Sequence, residues 1–108
     1  MVYSALLIQT TVSDLLFAKQ LAQILVKEHL AACVHIAPQG LSLYQWENTL
    51  ERNEELTLSI KTSQKAAKAC MARVQALHPY EVPEIICLPI IDGLPDYLSW
   101  IEDQTREY

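Results

Sequence analysis

The segment His78-Pro79-Tyr80-Glu81-Val82-Pro83-Glu84 contains the residues best suited to chemistry. His78, Tyr80 and Glu84 supply a titratable base, a phenol and a carboxylate. Two prolines four residues apart exclude a helix and stiffen the segment, and polar side chains on rigid loops often form binding sites. The sequence therefore predicts a ligand cleft here. The alternative is that the prolines only steer the chain, with His78 capping the helix before it.

Three more side chains are predicted to complete this cleft. Lys61 ends a predicted strand on its polar face, while Tyr97 and Trp100 lie near the C-terminus and are suited to wall a pocket. Pockets form preferentially at boundaries between domains or subunits. We therefore expect the cleft to lie where two copies of the chain meet.

A second candidate site is the pair Cys33 and His35, two residues apart in a predicted strand. Side chains alternate along a strand, so these two face the same way, and a thiolate with an imidazole suits copper or zinc. Two donors do not make a site, and no third follows at motif spacing, so a neighbouring subunit would have to supply it. The alternative is strand packing for Cys33 and a hydrogen-bonded His35.

Aromatic and acidic side chains surround a predicted hairpin turn. Tyr44 and Trp46 precede the turn, and large aromatic residues on a projecting strand indicate interface anchors. Four carboxylates lie near the same turn: Glu47, Glu51, Glu54 and Glu55. Clustered carboxylates attract hard cations weakly, but a solvated, charged hairpin tip is the interpretation that we favour.

Composition and charge exclude several classes of protein. The net charge is −5 and the few arginines are far apart, whereas a phosphate-binding surface needs clustered basic residues, so we expect no nucleic-acid partner. No apolar run approaches the ~20 residues that span a bilayer, so no membrane association is expected. The N-terminus lacks the features of a signal peptide, which predicts a cytoplasmic location.

The number and spacing of the cysteines do not indicate a disulfide-bonded protein. The chain has three cysteines and no CxxC motif, which argues against a disulfide framework. Each cysteine lies in an apolar stretch and is expected to behave as a small hydrophobic residue. Cys70 and Cys87 in particular are predicted to face the core.

The first half of the chain alternates strand and helix patterns. An apolar run over residues 3–10 predicts a buried strand, and Ser13 is predicted to cap the first helix. Residues 32–46 predict an extended segment interrupted at Pro38-Gln39-Gly40, since proline and glycine inside a strand mark a bulge or an edge. Glu47-Asn48 is the predicted turn of a hairpin.

The second half repeats this order. Residues 56–60 alternate between apolar and polar side chains, which predicts the return strand of the hairpin. Ser63 is predicted to start the second helix, and the apolar run over 85–91 a last strand. Pro95 suits the first turn of a short C-terminal helix.

The predicted order of elements is β-α-β-β-α-β plus a terminal helix. It indicates a single α+β domain over residues 1–108 with the ferredoxin-like, split βαβ layout, in which two helices cover one face of an antiparallel sheet. The strands of the long central hairpin exceed the usual length of about five or six residues. Because such strands overhang a small domain and expose unpaired backbone, we expect pairing with other copies of the chain.

Several segments resemble the CutA family, the divalent-cation tolerance proteins. They occur in order along nearly the whole chain: LAACV (30–34), SLYQWE (42–47), IKT (60–62), HPYEVPE (78–84) and YLSW (97–100). The resemblance implies a ferredoxin-like fold, a tight homotrimer whose long hairpins pair between subunits, and involvement in tolerance of copper or other divalent metals. Two residues depart from the family pattern, because Asn48 stands where Gly is usual and His35 where Asn is expected.

These inferences predict a homotrimer without enzymatic activity that binds a metal ion or a small ligand at clefts between subunits. No cofactor is required, and copper or another divalent cation is the candidate ion. One alternative is a small-molecule signalling trimer similar to the PII proteins, although the turn at 46–49 is too tight for a long effector loop. The other is a small enzyme on the same fold. An acylphosphatase needs an arginine and a glycine near the first strand, and residues 4–15 contain neither.

Overall fold

The computed structural model describes residues 3–106. Its elements in chain order are β1 (Ala5–Val12), α1 (Leu15–Lys27), β2 (Cys33–Ile36), β3 (Gly40–Trp46), β4 (Thr49–Ser63), α2 (Ala67–Leu77), β5 (Ile85–Pro89) and α3 (Pro95–Gln104). The sheet has the order β2-β4-β1-β5, with β3 also paired to β4, and every pair is antiparallel. The predicted α+β, ferredoxin-like fold with a C-terminal helix is confirmed.

Helix α1 begins one residue later than the sequence suggested. The carboxylate of Asp14, not the hydroxyl of Ser13, accepts the backbone N–H of Phe17 at 3.0 Å and caps the helix. Asp and Ser are equally good caps, so the sequence could not choose between them. At the other end His29 adopts a left-handed backbone with φ of 59°, and this turn directs the chain into β2.

The core lies between one face of the sheet and the two helices α1 and α2. Alternate residues of β1 and β4, including Ile8 and Ile60, are fully buried against helical residues such as Leu25 and Val74. Each such side chain contributes roughly 1.5–3 kcal/mol by leaving water. The opposite face of the sheet has no helix along its middle in the described structure, and we call it the open face. It carries the other alternate residues, Gln9, Cys33, His35, Thr57, Ser59 and Lys61.

The hairpin formed by β3 and β4 projects beyond this core. Strand β4 has 15 residues, but β1 pairs only with residues 56–63 and β3 with residues 49–55. The turn between them has positive φ at both central residues, 51° at Glu47 and 67° at Asn48, as a two-residue hairpin turn requires. The long central hairpin and its turn were therefore correctly predicted.

Helix α3 packs at the end of the sheet where β1 begins and β4 ends. Pro95 occupies its first turn, as predicted. Ile101 is fully buried beside Ala5 and Ala32, and the hydroxyl of Thr105 donates to Ser63 Oγ at 2.8 Å. These contacts hold the exposed side of α3 over the Lys61 end of the sheet.

The cysteine prediction was right for Cys70 and wrong for Cys87. Cys70 is buried in the core, and burial raises the pKa of its thiol to about 12. Cys87 is exposed, because β5 is an edge strand that the helices cover incompletely. Burial still raises the pKa of the Cys87 thiol.

Strand β5 ends at Pro89, two residues before the predicted end. Within residues 3–106, none of the helices combines the length and the apolar character needed to cross a lipid bilayer.

Candidate functional site

A large cavity lies where the hairpin leaves the body of the domain. Its volume is about 930 Å³, within the range of small-ligand pockets. Four parts of the chain line it: Thr11 at the end of β1, the inner side of β3, residues 51–55 of β4, and the loop 80–84 that precedes β5. The strands and the two-proline loop therefore form the walls of one site.

Glu55 and Tyr80 form the polar centre of the cavity. The phenol of Tyr80 donates a hydrogen bond of 2.8 Å to Glu55 Oε2, and Glu55 is only 7% exposed. Burial raises the pKa of Tyr80; the neighbouring Glu55 raises it further, while a hydrogen bond with Ser13 opposes the rise. Tyr80 therefore stays protonated at neutral pH and remains a donor.

His78 lies behind Tyr80 and does not line the cavity. Its Nδ1 accepts the backbone N–H of Tyr80 at 3.1 Å, so the ring proton is on Nε2, which donates to the carbonyl of Thr11 at 2.8 Å. The ring also packs edge-on against Tyr80, with centroids 4.6 Å apart. Because both nitrogens are engaged, His78 positions the loop rather than offering a free base.

Two more hydrogen bonds fix the remaining walls. Gln9 Nε2 donates to Glu84 Oε2 at 2.9 Å, which holds the end of the loop against β1. Asn53 Nδ2 donates to the Tyr44 hydroxyl at 2.6 Å, which fixes that ring on the hairpin. The cavity thus has side chains held in place on both sides, a condition for selective binding.

Tyr44 and Trp46, predicted as interface anchors, lie on the cavity side of β3. They are 39% and 40% exposed. Each therefore has ring surface available for a ligand or a neighbouring chain, and the interface role stays a prediction.

The six predicted cleft residues do not meet in one place within a single chain. Tyr80 and Glu84 line the cavity, with His78 behind them, whereas Lys61, Tyr97 and Trp100 form a separate group at the other end of β4. There Lys61 Nζ lies 5.7 Å from the Tyr97 ring centroid, and Tyr97 stacks on Trp100 at 5.6 Å. Six residues of strand separate Lys61 from Glu55, which is about 20 Å.

Cys33 and His35 lie next to each other on the open face, opposite Lys61 and Ser59 of β4. Cys33 is partly buried and His35 is exposed. Among residues 3–106, no group of three or more His, Cys, Asp or Glu side chains is arranged to hold a metal ion. Within the described chain this pair therefore lacks a third protein ligand.

Sequence reasoning missed Glu55, which it had assigned to a solvated hairpin tip. Glu47 and Glu54 are indeed exposed, but Glu55 is buried and Glu51 is partly buried against the cavity. The alternation of side chains along β4 could have indicated Glu55 as a site residue, because it places Glu55 on the same face of the strand as the predicted cleft residue Lys61. Only the position of the 80–84 loop, which a local pattern does not give, reveals that Glu55 is covered.

Fold and site together define a ferredoxin-like protein with a cavity beside a projecting hairpin. The family described as CutA1 divalent ion tolerance protein matches residues 6–104. The chain belongs to this family, as its sequence segments had indicated.

Individual relatives agree with this assignment. The chain is 46% identical to the divalent-cation tolerance protein CutA of Thermus thermophilus over 82% of this chain and 85% of that protein. It is 46% identical to the CutA homolog of Xenopus laevis over 83% of this chain, but spans only 60% of that longer protein. The crystal structure of CutA1 from Shewanella sp. SIB1 superimposes with a TM-score of 0.95 and 40% identity, covering 99% of this chain and 100% of that one.

Proposed function

We propose that this member of the divalent ion tolerance family acts as a cytoplasmic, non-enzymatic homotrimer. Its cavity between the hairpin and the 80–84 loop binds a small ligand, and its open face takes up a divalent metal ion such as copper. The observation that carries the ligand-binding role is the cavity itself, in which buried Glu55, hydrogen-bonded to partly buried Tyr80, faces about 930 Å³ of space.

The hairpin supports self-association. One edge of β4 along residues 49–55 has no strand partner in the described structure. Three leucines of the hairpin are more than half exposed: Leu41, Leu43 and Leu50. Unpaired strand edges and apolar side chains together favour pairing with another strand, and another copy of the same hairpin supplies both.

The separation of about 20 Å between the two groups of predicted site residues also favours an oligomer. Lys61, Tyr97 and Trp100 carry a cation and two partly exposed rings. Only a neighbouring subunit could bring such a group to the cavity that contains Tyr80 and Glu84. An intersubunit cleft of this kind would resemble the ligand sites that often lie between chains.

Copper binding is proposed at Cys33 and His35. Their side chains share the open face, and a thiolate with an imidazole has the donor softness that copper prefers. A third ligand has to come from a neighbouring copy, since the described chain does not supply one. This proposal therefore depends on the trimer.

Three measurements test these proposals separately. Light scattering at micromolar concentration should give three times the chain mass, and a monomer mass would refute the trimer. Copper calorimetry should show affinity that is lost in Cys33→Ser and in His35→Ala; unchanged affinity would remove that pair from the site. A ligand screen by thermal shift should respond differently in the wild type and in a Tyr80→Phe/Glu84→Gln variant, and identical responses would mean that the cavity is structural.

A further inference from the structure

The open face of the sheet carries opposite charges at its two ends. It continues into the cavity, because Thr11 lines the cavity and lies two residues after Gln9 on the same side of β1. At this end the carboxylates of Glu51, Glu55, Glu81 and Glu84 line the cavity, and no lysine, arginine or histidine is among the described lining residues. At the other end the open face carries Lys61, beside α3.

The positive end lacks a carboxylate partner within the described chain. Lys61 is partly buried, and the ion pairs among residues 3–106 are Arg73–Glu28 and Arg106–Asp103, neither of which includes it. The ring of Tyr97, 5.7 Å from Lys61 Nζ, attracts the ammonium group but does not neutralise it. Because removing a cation from water is costly unless an anion compensates it, a surface that covers Lys61 should bring an anion.

Glu84 is the carboxylate best placed to be that anion. Its side chain is exposed, and Gln9 of the open face holds one of its oxygens, Oε2, through a hydrogen bond of 2.9 Å. The amide of Gln9 is neutral, and a carboxylate has acceptor sites for further donors on both oxygens. Glu55, by contrast, is enclosed beneath Tyr80. Glu84 is therefore oriented by the chain and still able to accept an ammonium group.

Lys61 and Glu84 of one chain are too far apart to pair with each other. Leu7 of β1 lies opposite both Lys61 and Leu88, so these three residues form one row across the sheet. Glu84 lies four residues before Leu88, which is about 13 Å along the strand direction, and two strand spacings add to this distance. The compensating charges therefore have to come from another chain.

A second copy of this chain has both charges that are needed. The edge of β4 over residues 49–55 has no strand partner in the described structure, and Glu51 and Glu55 of this segment line the cavity. A neighbouring chain that pairs with this edge therefore lies beside the cavity. Because every copy carries Lys61 at one end of the open face and Glu84 at the other, the same contact can repeat from head to tail and close as a ring.

We propose that a second copy of the chain completes the cavity, and that its Lys61 forms an ion pair with Glu84 across the subunit boundary. This inference rests on the proposed homotrimer and names what the neighbouring chain contributes to the cavity. In a ring of three, each chain gives its Lys61 to one neighbour and receives the lysine of the other at Glu84. The Tyr97 ring accompanies Lys61 to the same boundary.

The test is a charge exchange, with self-association measured by sedimentation velocity over a range of concentrations. Lys61→Glu and Glu84→Lys should each raise the concentration at which the trimer dissociates by at least about tenfold, because each places like charges in contact at every boundary. The double variant Lys61→Glu/Glu84→Lys restores opposite charges and should dissociate within about threefold of the wild-type concentration. Since the two residues cannot touch within one chain, such a rescue reports a contact between chains.

Matched controls separate this contact from the net charge of the protein. Lys68→Glu makes the same change of charge as Lys61→Glu on an exposed residue of α2, on the other side of the sheet, and should leave the dissociation concentration within about twofold of the wild type. The combination Lys68→Glu/Glu84→Lys has the same net charge as the exchange variant and should not restore assembly. Equal rescue by this combination would overturn the proposal.

The neutral variants Lys61→Met and Glu84→Gln complete the test if a reversed charge prevents folding, as judged by circular dichroism. Each should weaken the trimer, and the double neutral variant should be little weaker than the weaker single variant, because the pair is already broken. Additive effects of the two neutral changes would overturn the ion pair.

The outcomes also distinguish this inference from the proposed function. A wild-type protein that is monomeric at micromolar concentration would refute both the homotrimer and the ion pair. A wild-type trimer that is unaffected by Lys61→Glu and Glu84→Lys, or that the exchange variant fails to restore, would refute the ion pair alone and leave the homotrimer standing.

Discussion

The hydrogen bond between Tyr80 and Glu55 should contribute measurably to stability. Tyr80→Phe removes the hydroxyl that donates to Glu55 Oε2 at 2.8 Å and leaves a carboxylate of 7% exposure without that donor. A hydrogen bond to a charged group contributes about 1.5–3 kcal/mol. Because the adjoining cavity can admit a water molecule, we expect the lower end of this range, a loss of about 1.5 kcal/mol in the free energy of unfolding.

Glu55→Gln should cost less than Tyr80→Phe. The amide keeps an oxygen that accepts from Tyr80, and the substitution removes a buried charge whose desolvation is unfavourable. In the double variant the tyrosine effect should shrink, since a neutral amide suffers less than a carboxylate from losing its donor. A double-mutant cycle should therefore give a coupling energy of about 1 kcal/mol.

The assay is denaturant unfolding of the wild type, the two single variants and the double variant at one protein concentration, because association contributes to apparent stability. Tyr44→Phe is the matched control: it removes the same group from a tyrosine that is 39% exposed and accepts from Asn53, so water can replace the bond. We expect a loss below about 0.5 kcal/mol there. If Tyr80→Phe costs no more than Tyr44→Phe, or if the coupling energy is near zero, the pair does not hold the loop to the hairpin.

Three further changes have defined expected results. Asn48→Gly should raise the free energy of unfolding by about 0.5–1 kcal/mol, because Asn48 has φ of 67° and glycine adopts that conformation without steric cost. A lower free energy of unfolding, measured with denaturant, would contradict this. The free energy of unfolding should fall above pH 9, by at most about 1.4 kcal/mol per pH unit. The pKa of the Cys70 thiol is about 12 in the folded protein and 9.0 ordinarily, so the unfolded chain loses this proton first. If Cys70→Ala shows the same decline in alkaline solution, Cys70 is not the cause. Thr105→Val should cost about 1 kcal/mol by removing a buried hydrogen bond to Ser63, and thermal unfolding equal to that of the wild type would count against a role for this bond in anchoring α3.

The sequence predicted most of the fold because its local and long-range signals agree. The alternation of residues 56–60 fixed which face of β4 is buried, and the same register along β1 places Ile8 opposite Ile60. Pro38 and Gly40 separated β2 from β3, and Glu47-Asn48 marked the turn. Where the prediction failed, at Cys87, the pattern was right about strand β5, but a strand at the edge of a sheet is exposed even when its residues are apolar.

The candidate site was less predictable, since its members come from segments far apart in the sequence. The HPYEVPE loop was found through its rigidity, but sequence alone could not say that His78 turns inward to hold Tyr80 and Thr11. Nor could it say that the loop covers Glu55, 25 residues away. Both facts depend on how a helix end, a loop and a hairpin meet, and local periodicity contains no such information.

The position of the cavity connects the hairpin to the proposed ligand binding. If the hairpin were no longer than its neighbouring strand β1, Glu55 would lie at a solvent-exposed tip. The extension of β3 and β4 beyond β1 instead provides the cavity wall that carries Tyr44 and Trp46. The same extension leaves one edge of residues 49–55 without a partner strand in the described structure. Any chain that pairs with this edge would lie directly beside the cavity and would change its shape. The proposed assembly and the proposed ligand binding should therefore be coupled, because the unpaired edge and the cavity share residues 49–55 of β4, of which Glu51, Asn53 and Glu55 line the cavity.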